Sequence, residues 1–325
     1  MCWLFLHMAK PFKTYEEQIE ILKSRGLIIH DEQQAIRFLE TENYYNVING
    51  YKNEFLVPET DLFANGVTFE NIQALYSFDK AFRHGILSTL LDIENMLKSI
   101  IAYEFARQYG ATAYLNIASY NVYGEKSRQA AQELMDSINE QIVKWKDNTD
   151  HSNDNIRHYL AVHGEIPIWV LFSHMMIRDL CKFFQCLTPN LKDVICQHIV
   201  SIYGKKFKSD DLYAFLRILK NVRNLCAHNL RIYNYKTQYI ISKKNGFVKA
   251  IKKQFGDNFK INNIISVIIV IYHLCSREKI KTFFDSFIAE LGSLVYTPSQ
   301  LGYAFGSDKS NTLTALIMIL FDITK

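Results

Sequence analysis

The sequence predicts an all-α fold, on three observations. From Phe69 to Tyr109 no proline intervenes, and Leu75, Phe78, Phe82, Ile86, Leu90, Ile93, Leu97 and Ile100 recur at three- and four-residue steps, the spacing that lines apolar groups along one side of a helix. Leu212, Phe215, Leu216, Leu219, Val222 and Cys226 repeat that pattern later in the chain. Helix-start signatures stand at Thr14-x-x-Glu17 and Asp31-x-x-Gln34, where a short polar side chain can hold the first free backbone N–H groups.

In order, the first helix carries Ile19, Ile21 and Leu22 and stops at Gly26, and the second runs from Asp31 towards Tyr44. Asn43 to Pro58, rich in Asn, Tyr and Gly, reads as a connection with little regular structure. Asn65-Gly66 marks a turn and Thr68 can cap the long helix, one element or two nearly continuous ones. Within it Asp79/Arg83 and Glu94/Lys98 are opposite charges four residues apart, read as ion pairs on the helix surface. Gly124 to Lys146 is a further helix, and Asp147 to Asp154 a polar loop, the best candidate for a mobile or protease-sensitive segment. Asn155 to His163 gives a short helix, and the apolar run Ile168 to Leu187 one helix that Pro189 stops. Ser209 caps the next, with Asp210 and Asp211 complementing its dipole. Tyr235 to Lys260 mixes lysines with Tyr239, Phe247 and Phe255 and gives no clear element. Ile261–Leu274 and Arg277–Leu291 are two more helices, with stops at Gly292 and Pro298, and a last apolar segment spans Thr312 to Ile323.

Composition fits an ordinary globular chain, with 49% hydrophobic residues and five prolines in 325 residues. The run Ile264 to Cys275 is interrupted by Ser266, Tyr272 and His273 and falls short of the roughly 20 residues a membrane span needs. A buried helix is expected there. Six cysteines, with no Cys-x-x-Cys pair, read as free thiols in a reducing cytoplasm. Apolar Met1 to Met8 lacks the features of a secretory signal, and Met8 would serve equally as a translation start.

The net charge of +4 hides an asymmetry. Between Gly204 and Lys260 there are fourteen Lys or Arg against three Asp, so that segment is +11 and the remaining residues −7. A surplus of this size points to a polyanionic partner or to a solvated basic surface.

Inside the basic segment lies Arg223-Asn224-Leu225-Cys226-Ala227-His228-Asn229. The bare Arg/His spacing is weak, because Arg25/His30 and Arg157/His163 are similar. Here an amphipathic run precedes the pair, and Lys220, Asn224, His228 and Arg231 fall within roughly 80° of one another on an ideal helix. The residue types suit RNA cleavage by the 2′-hydroxyl. Histidine titrates near neutrality and can move the protons, arginine can hold charge on two phosphate oxygens, and Asn224 can position either. In the competing structural reading His228 is an interior histidine, Arg223 bonds helix-end carbonyls and Asn224 is a cap. Arg223 and His228 lie about 140° apart on a helix, so they converge only through a helix break or a second subunit. No His-Glu-x-x-His is present, and Cys196-x-His198 with Cys181 and Cys186 lacks zinc-finger spacing. Neither a glycine-rich phosphate loop nor a nucleophile elbow occurs.

At these residues the sequence resembles the Abi-like (abortive infection) family, whose core resembles the HEPN superfamily. Further blocks in family order are Lys10-Pro11-Phe12-x-Thr14-x-Glu16-x-Gln18, Tyr44-Tyr45-x4-Gly50-Tyr51, Tyr76-x-Phe78-Asp79 and Gly164-Glu165-Ile166-Pro167-Ile168-Trp169-Val170. The motif block itself is Arg223-Asn224-x-Cys226-Ala227-His228-x-x-Arg231-x-Tyr233-Asn234. Ser173 stands where the family pattern has an acidic residue.

The resemblance implies a HEPN-like helical bundle with added N- and C-terminal helices, and a homodimer with a composite site. The implied activity is metal-independent RNase activity in antiphage defence or as a toxin, without cofactor or membrane, under control of a small RNA or protein antitoxin. Its catalytic motif falls on Arg223, Asn224 and His228, with Asp79 and Arg83 as candidates lining the site. Lys220, Arg231, Tyr233, Lys236, Lys243 and Lys244 are candidate RNA contacts. The expected organisation is an N-terminal helical segment over 1–65, the core over 66–240 and a C-terminal helical region packed on it over 241–325. The alternative function is a non-catalytic RNA-binding or regulatory module.

Overall fold

Thr14 and Asp31 open the first two helices by the bonds the sequence predicts. In the computed structural model, which describes residues 11–148, 151–258 and 261–294, Thr14 and Glu17 form a reciprocal capping box on α1 (Tyr15–Ser24). Asp31 accepts from the Gln34 N–H at 2.9 Å at the start of α2 (Glu32–Glu42). The described residues contain twelve α-helices and no strand; two isolated β-bridges, Ile28–Thr68 and Leu56–Phe63, pin loops. The chain divides into two compact units, with a boundary between Phe82 and Arg83 and a second between Ile288 and Ala289.

In the first unit α1 packs on α2 and buries Ile19, Leu22, Ala35 and Leu39. The connection from Asn43 to Pro58 is more regular than expected, with a π-helical turn over Tyr45–Asn49 and a 3-10 turn over Lys52–Glu54. Val47, Ile48, Tyr51 and Phe55 recur at helical steps and are all buried, so burial organises a stretch whose Asn and Gly content suggests a loop. The long periodic run is one unbroken helix, α3 (Phe69–Tyr109). At its start the Thr68 N–H donates to Asn71 Oδ1 at 2.9 Å.

The expected surface ion pair of Asp79 and Arg83 is corrected, because their exposures are 0% and 1%. Spacing four residues apart specifies adjacency along a helix and not which face the pair occupies. The Tyr51 hydroxyl donates to Asp79 Oδ2 at 2.6 Å, supplying a partner that a buried carboxylate requires. Glu94 and Lys98 do pair, at 2.9 Å, but with side chains only 11% and 14% exposed.

The second unit holds α4 (Glu125–Asp147), α5 (Asp154–His163), α6 (Ile168–His174), α7 (Ile177–Cys186), α8 (Pro189–Tyr203), α9 (Ser209–Ala227), α10 (Gly246–Phe255) and α11 (Ile264–Leu274), together with most of α12 (Arg277–Leu294). The apolar run from Ile168 is two helices, because Met175 and Met176 are extended and the Met176 N–H bonds Asp179 Oδ2 at 3.2 Å to start the second. Pro189 begins α8 instead of only ending its predecessor, with the Thr188 hydroxyl accepting from the Leu191 N–H. Proline suits a first helical position, where its missing N–H would have no partner anyway.

Of the predicted polar loop, Asp147 ends α4, His151–Asn153 form a 3-10 turn and Asp154 begins α5, while residues 149–150 lie outside the described residues. Helix α11 is buried from Ile264 to Ile271 and again at His273 and Leu274, as an all-round apolar helix must be. No helix among the described residues is long and apolar enough to cross a membrane. Helix α12 continues past Gly292 to Leu294. Thr312–Ile323 and the alternative start at Met8 lie outside the described residues.

Replacing Tyr51 with Phe removes a donor from buried Asp79 and is expected to lower stability by about 1–3 kcal/mol, read from urea unfolding. An unchanged midpoint would show that this bond contributes nothing net.

Candidate functional site

The sequence anchors α9 on three neighbours. Leu212, Phe215, Leu216, Leu219, Val222 and Cys226 are all buried, as are Ala214 and Ile218, and the helix packs against α7, α8 and α11. Its N-cap is Lys208, whose N–H bonds Asp211 Oδ2 at 3.2 Å; Ser209, expected as the cap, is the first helical residue. Asp211, 3% exposed, also accepts from the Ser242 N–H at 3.2 Å. Asn245 Nδ2 lies 3.5 Å from Asp211 Oδ2 and 3.4 Å from His273 Nε2. His273 is 2% exposed and bonds the Ile269 carbonyl through Nδ1, so Nδ1 carries the proton and Nε2 accepts. Burial lowers its pKa below the usual histidine range. This polar chain ties the start of α9 to the loop before α10 and to α11.

The other end of α9 closes on Asn229, whose φ of 55° is left-handed. The Leu230 N–H bonds the Leu225 carbonyl at 2.8 Å and the Asn229 N–H bonds the Cys226 carbonyl at 3.2 Å. That pair is the Schellman arrangement, which asparagine tolerates better than most side-chain-bearing residues. His228 is the C-cap, and its N–H still reaches the Asn224 carbonyl at 3.0 Å. It therefore continues the helical spiral, and the helix end does not rotate it towards Arg223.

Asn224 and His228 are exposed on the same side of α9, and neither side chain is hydrogen-bonded among the described residues. Arg223 is half-buried, and its Nε is fully buried with no hydrogen-bond partner among the described residues. Cys226, between them, is part of the core. At the similar spacing of Arg157/His163, Arg157 is instead paired with Asp154.

The other predicted residues differ in exposure. Lys220 is half-buried on α9, while Arg231, Lys236, Lys243 and Lys244 are exposed. Arg231 is not on the helix, because α9 ends at Ala227 and the left-handed turn at Asn229 redirects the chain before it. Tyr233 is 3% exposed, so its ring is withdrawn from the surface where a base could stack. Asp79 belongs to the first unit and Arg83 to the second, and both are interior. Among the described residues no three His, Cys, Asp or Glu are grouped as metal ligands. The five described cysteines are free and buried, and burial pushes the Cys196 and Cys275 thiols up to about 12.

With this geometry in place, residues 37–234, more than half the chain, match the family described as Abi-like protein. The chain belongs to that family. Searches of curated proteins and of solved structures return no match. The family match includes all of α9 and its Asn229 turn, whereas Arg25/His30 and the basic residues from Lys236 onward fall outside it.

Two features of the family region and its margin have no clear sequence signature. Arg217 lies over the Tyr239 ring with its guanidinium carbon 3.9 Å from the centroid, and 5.4 Å from that of Tyr213. Only Tyr213/Arg217 is visible in the sequence, as a four-residue step; Tyr239 comes from a loop that the Thr237 N–H to Asn262 carbonyl bond holds at 2.7 Å. Lys205, the second feature, donates to the Cys275 carbonyl at 2.8 Å and sits 4.7 Å above the Tyr272 ring. Burial lowers its pKa to about 8.

Two predictions follow from the ends of α9. Asn229→Gly should hold or raise stability, and Asn229→Val should lower it by about 1–2 kcal/mol, the cost of a left-handed residue with a branched side chain, measured by urea unfolding. Since His273 stays neutral when folded and takes up a proton when unfolded, stability should fall as pH drops below the ordinary histidine value of 6.5. Thermal melts from neutral to acidic pH should show that limb, and His273→Gln should flatten it.

Proposed function

We propose that this Abi-like chain is a metal-independent endoribonuclease of an abortive-infection defence system, with a HEPN-like core and a catalytic set of Arg223, Asn224 and His228. The observation that carries the reading is at the end of α9. Asn224 and His228 are exposed and unbonded beside an arginine whose Nε is buried without a partner, on a helix whose other sides are covered by α7, α8 and α11. A core-anchored helix fixes the backbone that carries these groups, which limits the reorganisation that substrate binding has to supply. The +11 segment around them favours a polyanion.

In this mechanism the 2′-hydroxyl of the substrate attacks the adjacent phosphorus. One histidine accepts the hydroxyl proton as the bond forms, and a protonated histidine gives a proton to the leaving 5′-oxygen. Arg223 stabilises the extra negative charge on the phosphate oxygens, and Asn224 orients a phosphate oxygen or the imidazole. The products are a 2′,3′-cyclic phosphate and a 5′-hydroxyl.

A homodimer completes the site. Arg223 and His228 of one chain diverge by about 140° around the helix, and a two-fold axis that brings the exposed ends of two α9 helices together would supply the missing partner from the second copy. Two histidines, one from each chain, would then share the acid and base roles. A small RNA or protein antitoxin would control the activity in the cytoplasm.

The test is incubation of the purified chain with total RNA in EDTA, with mapping of the cleavage ends. Cyclic phosphates are expected, and His228→Ala and Arg223→Ala should each reduce their formation by a factor on the order of 100 or more with an unchanged circular dichroism spectrum. Equal cleavage by both variants would overturn the site. Salt-sensitive RNA binding that survives His228→Ala, with no cyclic phosphate from the parent chain, would favour the non-catalytic RNA-binding module.

A further inference from the structure

We propose that the hollow beside Arg217 is a nucleobase-binding subsite that selects guanine in a single-stranded RNA. The inference rests on the reading that this face of α9 meets RNA. A cavity of about 490 Å³ opens there, lined by Asp210, Tyr213 and Arg217 of α9 and by Gln238, Tyr239 and Ile240 of the following loop. Asp210, Arg217, Asn224 and His228 recur at seven-, seven- and four-residue steps, which places them within about 40° of one another around the helix. The hollow and the exposed motif residues therefore share one side of α9. Arg217 and His228 are about 16 Å apart along it, a distance that an RNA strand can bridge with its base in one place and its phosphate in the other.

The walls fit a base better than a phosphate. Arg217 already lies over the Tyr239 ring and near that of Tyr213, so a base would extend this stack on an outer face, and stacking on such groups is the common way to hold an unpaired base. Asp210 is exposed and forms no hydrogen bond or ion pair among the described residues. Lys192 interacts with it through space, and at the rim the carboxylate repels phosphate while accepting hydrogen bonds from a base edge. Guanine is the base whose Watson–Crick edge offers two adjacent donors, N1–H and the 2-amino group, to one carboxylate. Adenine, cytosine and uracil offer a single donor group there. The Gln238 side chain, hydrogen-bonded to Tyr239, has a second amide N–H that can serve the neighbouring O6.

Fluorescence anisotropy with the full-length His228→Ala chain tests this without cleavage of the probe. The probes are a short single-stranded RNA of A and U with one central G, and the same strand with inosine, which lacks the 2-amino group. The G strand should bind about tenfold more tightly, and Asp210→Asn should abolish that preference. Tyr239→Ala should weaken both strands about tenfold, whereas Tyr239→Phe, which keeps the ring, should not. Retention of the G preference by Asp210→Asn, or parental affinity in Tyr239→Ala, would overturn the subsite. The expected binding differences without any cleavage by the parent chain would leave the subsite standing and reject the nuclease. Cleavage that maps as expected, with no G preference in binding, would do the reverse.

Discussion

Burial of one face of α9 is the constraint on which the candidate site depends. Leu212, Phe215, Leu216, Leu219, Val222 and Cys226 enter the core against α7, α8 and α11. Each such side chain contributes about 1.5–3 kcal/mol on transfer out of water, more than any surface charge could offset. The helix therefore cannot roll to hide its polar side. Asn224 and His228 are exposed as a consequence of where the leucines must go.

Polar groups fix what hydrophobic burial leaves free. Apolar contact sets which face of α9 is inside but is tolerant of sliding along the axis. The bonds from Asp211 to the backbone at Lys208 and Ser242, and the approach of Asn245 to both Asp211 and His273, fix its start. The Asn229 turn fixes its end. Elsewhere buried Glu104 has the same dependence on partners: it receives His198 at 2.7 Å and Arg107 at 2.8 Å. A buried charge without such bonds would cost several kcal/mol. The unbonded Arg223 Nε stands out against this pattern.

Most helices were legible in the sequence because their signals are local. Thr14 with Glu17, Asp31 with Gln34, and the stripes of α3 and α9 depend on residues three or four apart, and the structure has each of them. The misreadings share a cause in the other direction. The apolar run after Ile168 contains no visible break, yet Asp179 captures the Met176 N–H and starts a new helix. Pro189 reads as a stop and serves also as a start. In Asn43–Pro58 the polar composition obscured four buried residues that hold the chain in helical turns. Of the candidate site, the Arg223–His228 segment and its exposed face were readable; the interior position of Tyr233 was not, because nothing in its neighbours marks which side the chain presents after the turn at Asn229.

The helical class, the core stripe of α9, the basic surplus and the angular divergence of Arg223 from His228 can all be read from the residues alone, since they follow from composition or from spacing along one helix. The interior position of Asp79 and Arg83, the chain of polar contacts through Asp211, Asn245 and His273, and the meeting of Tyr239 with Arg217 across a loop emerge from packing in three dimensions. Periodicity records which residues share a face, but it does not record what covers that face. The partner comes from distant sequence, and its approach is set by the packing of whole helices, which no local pattern encodes.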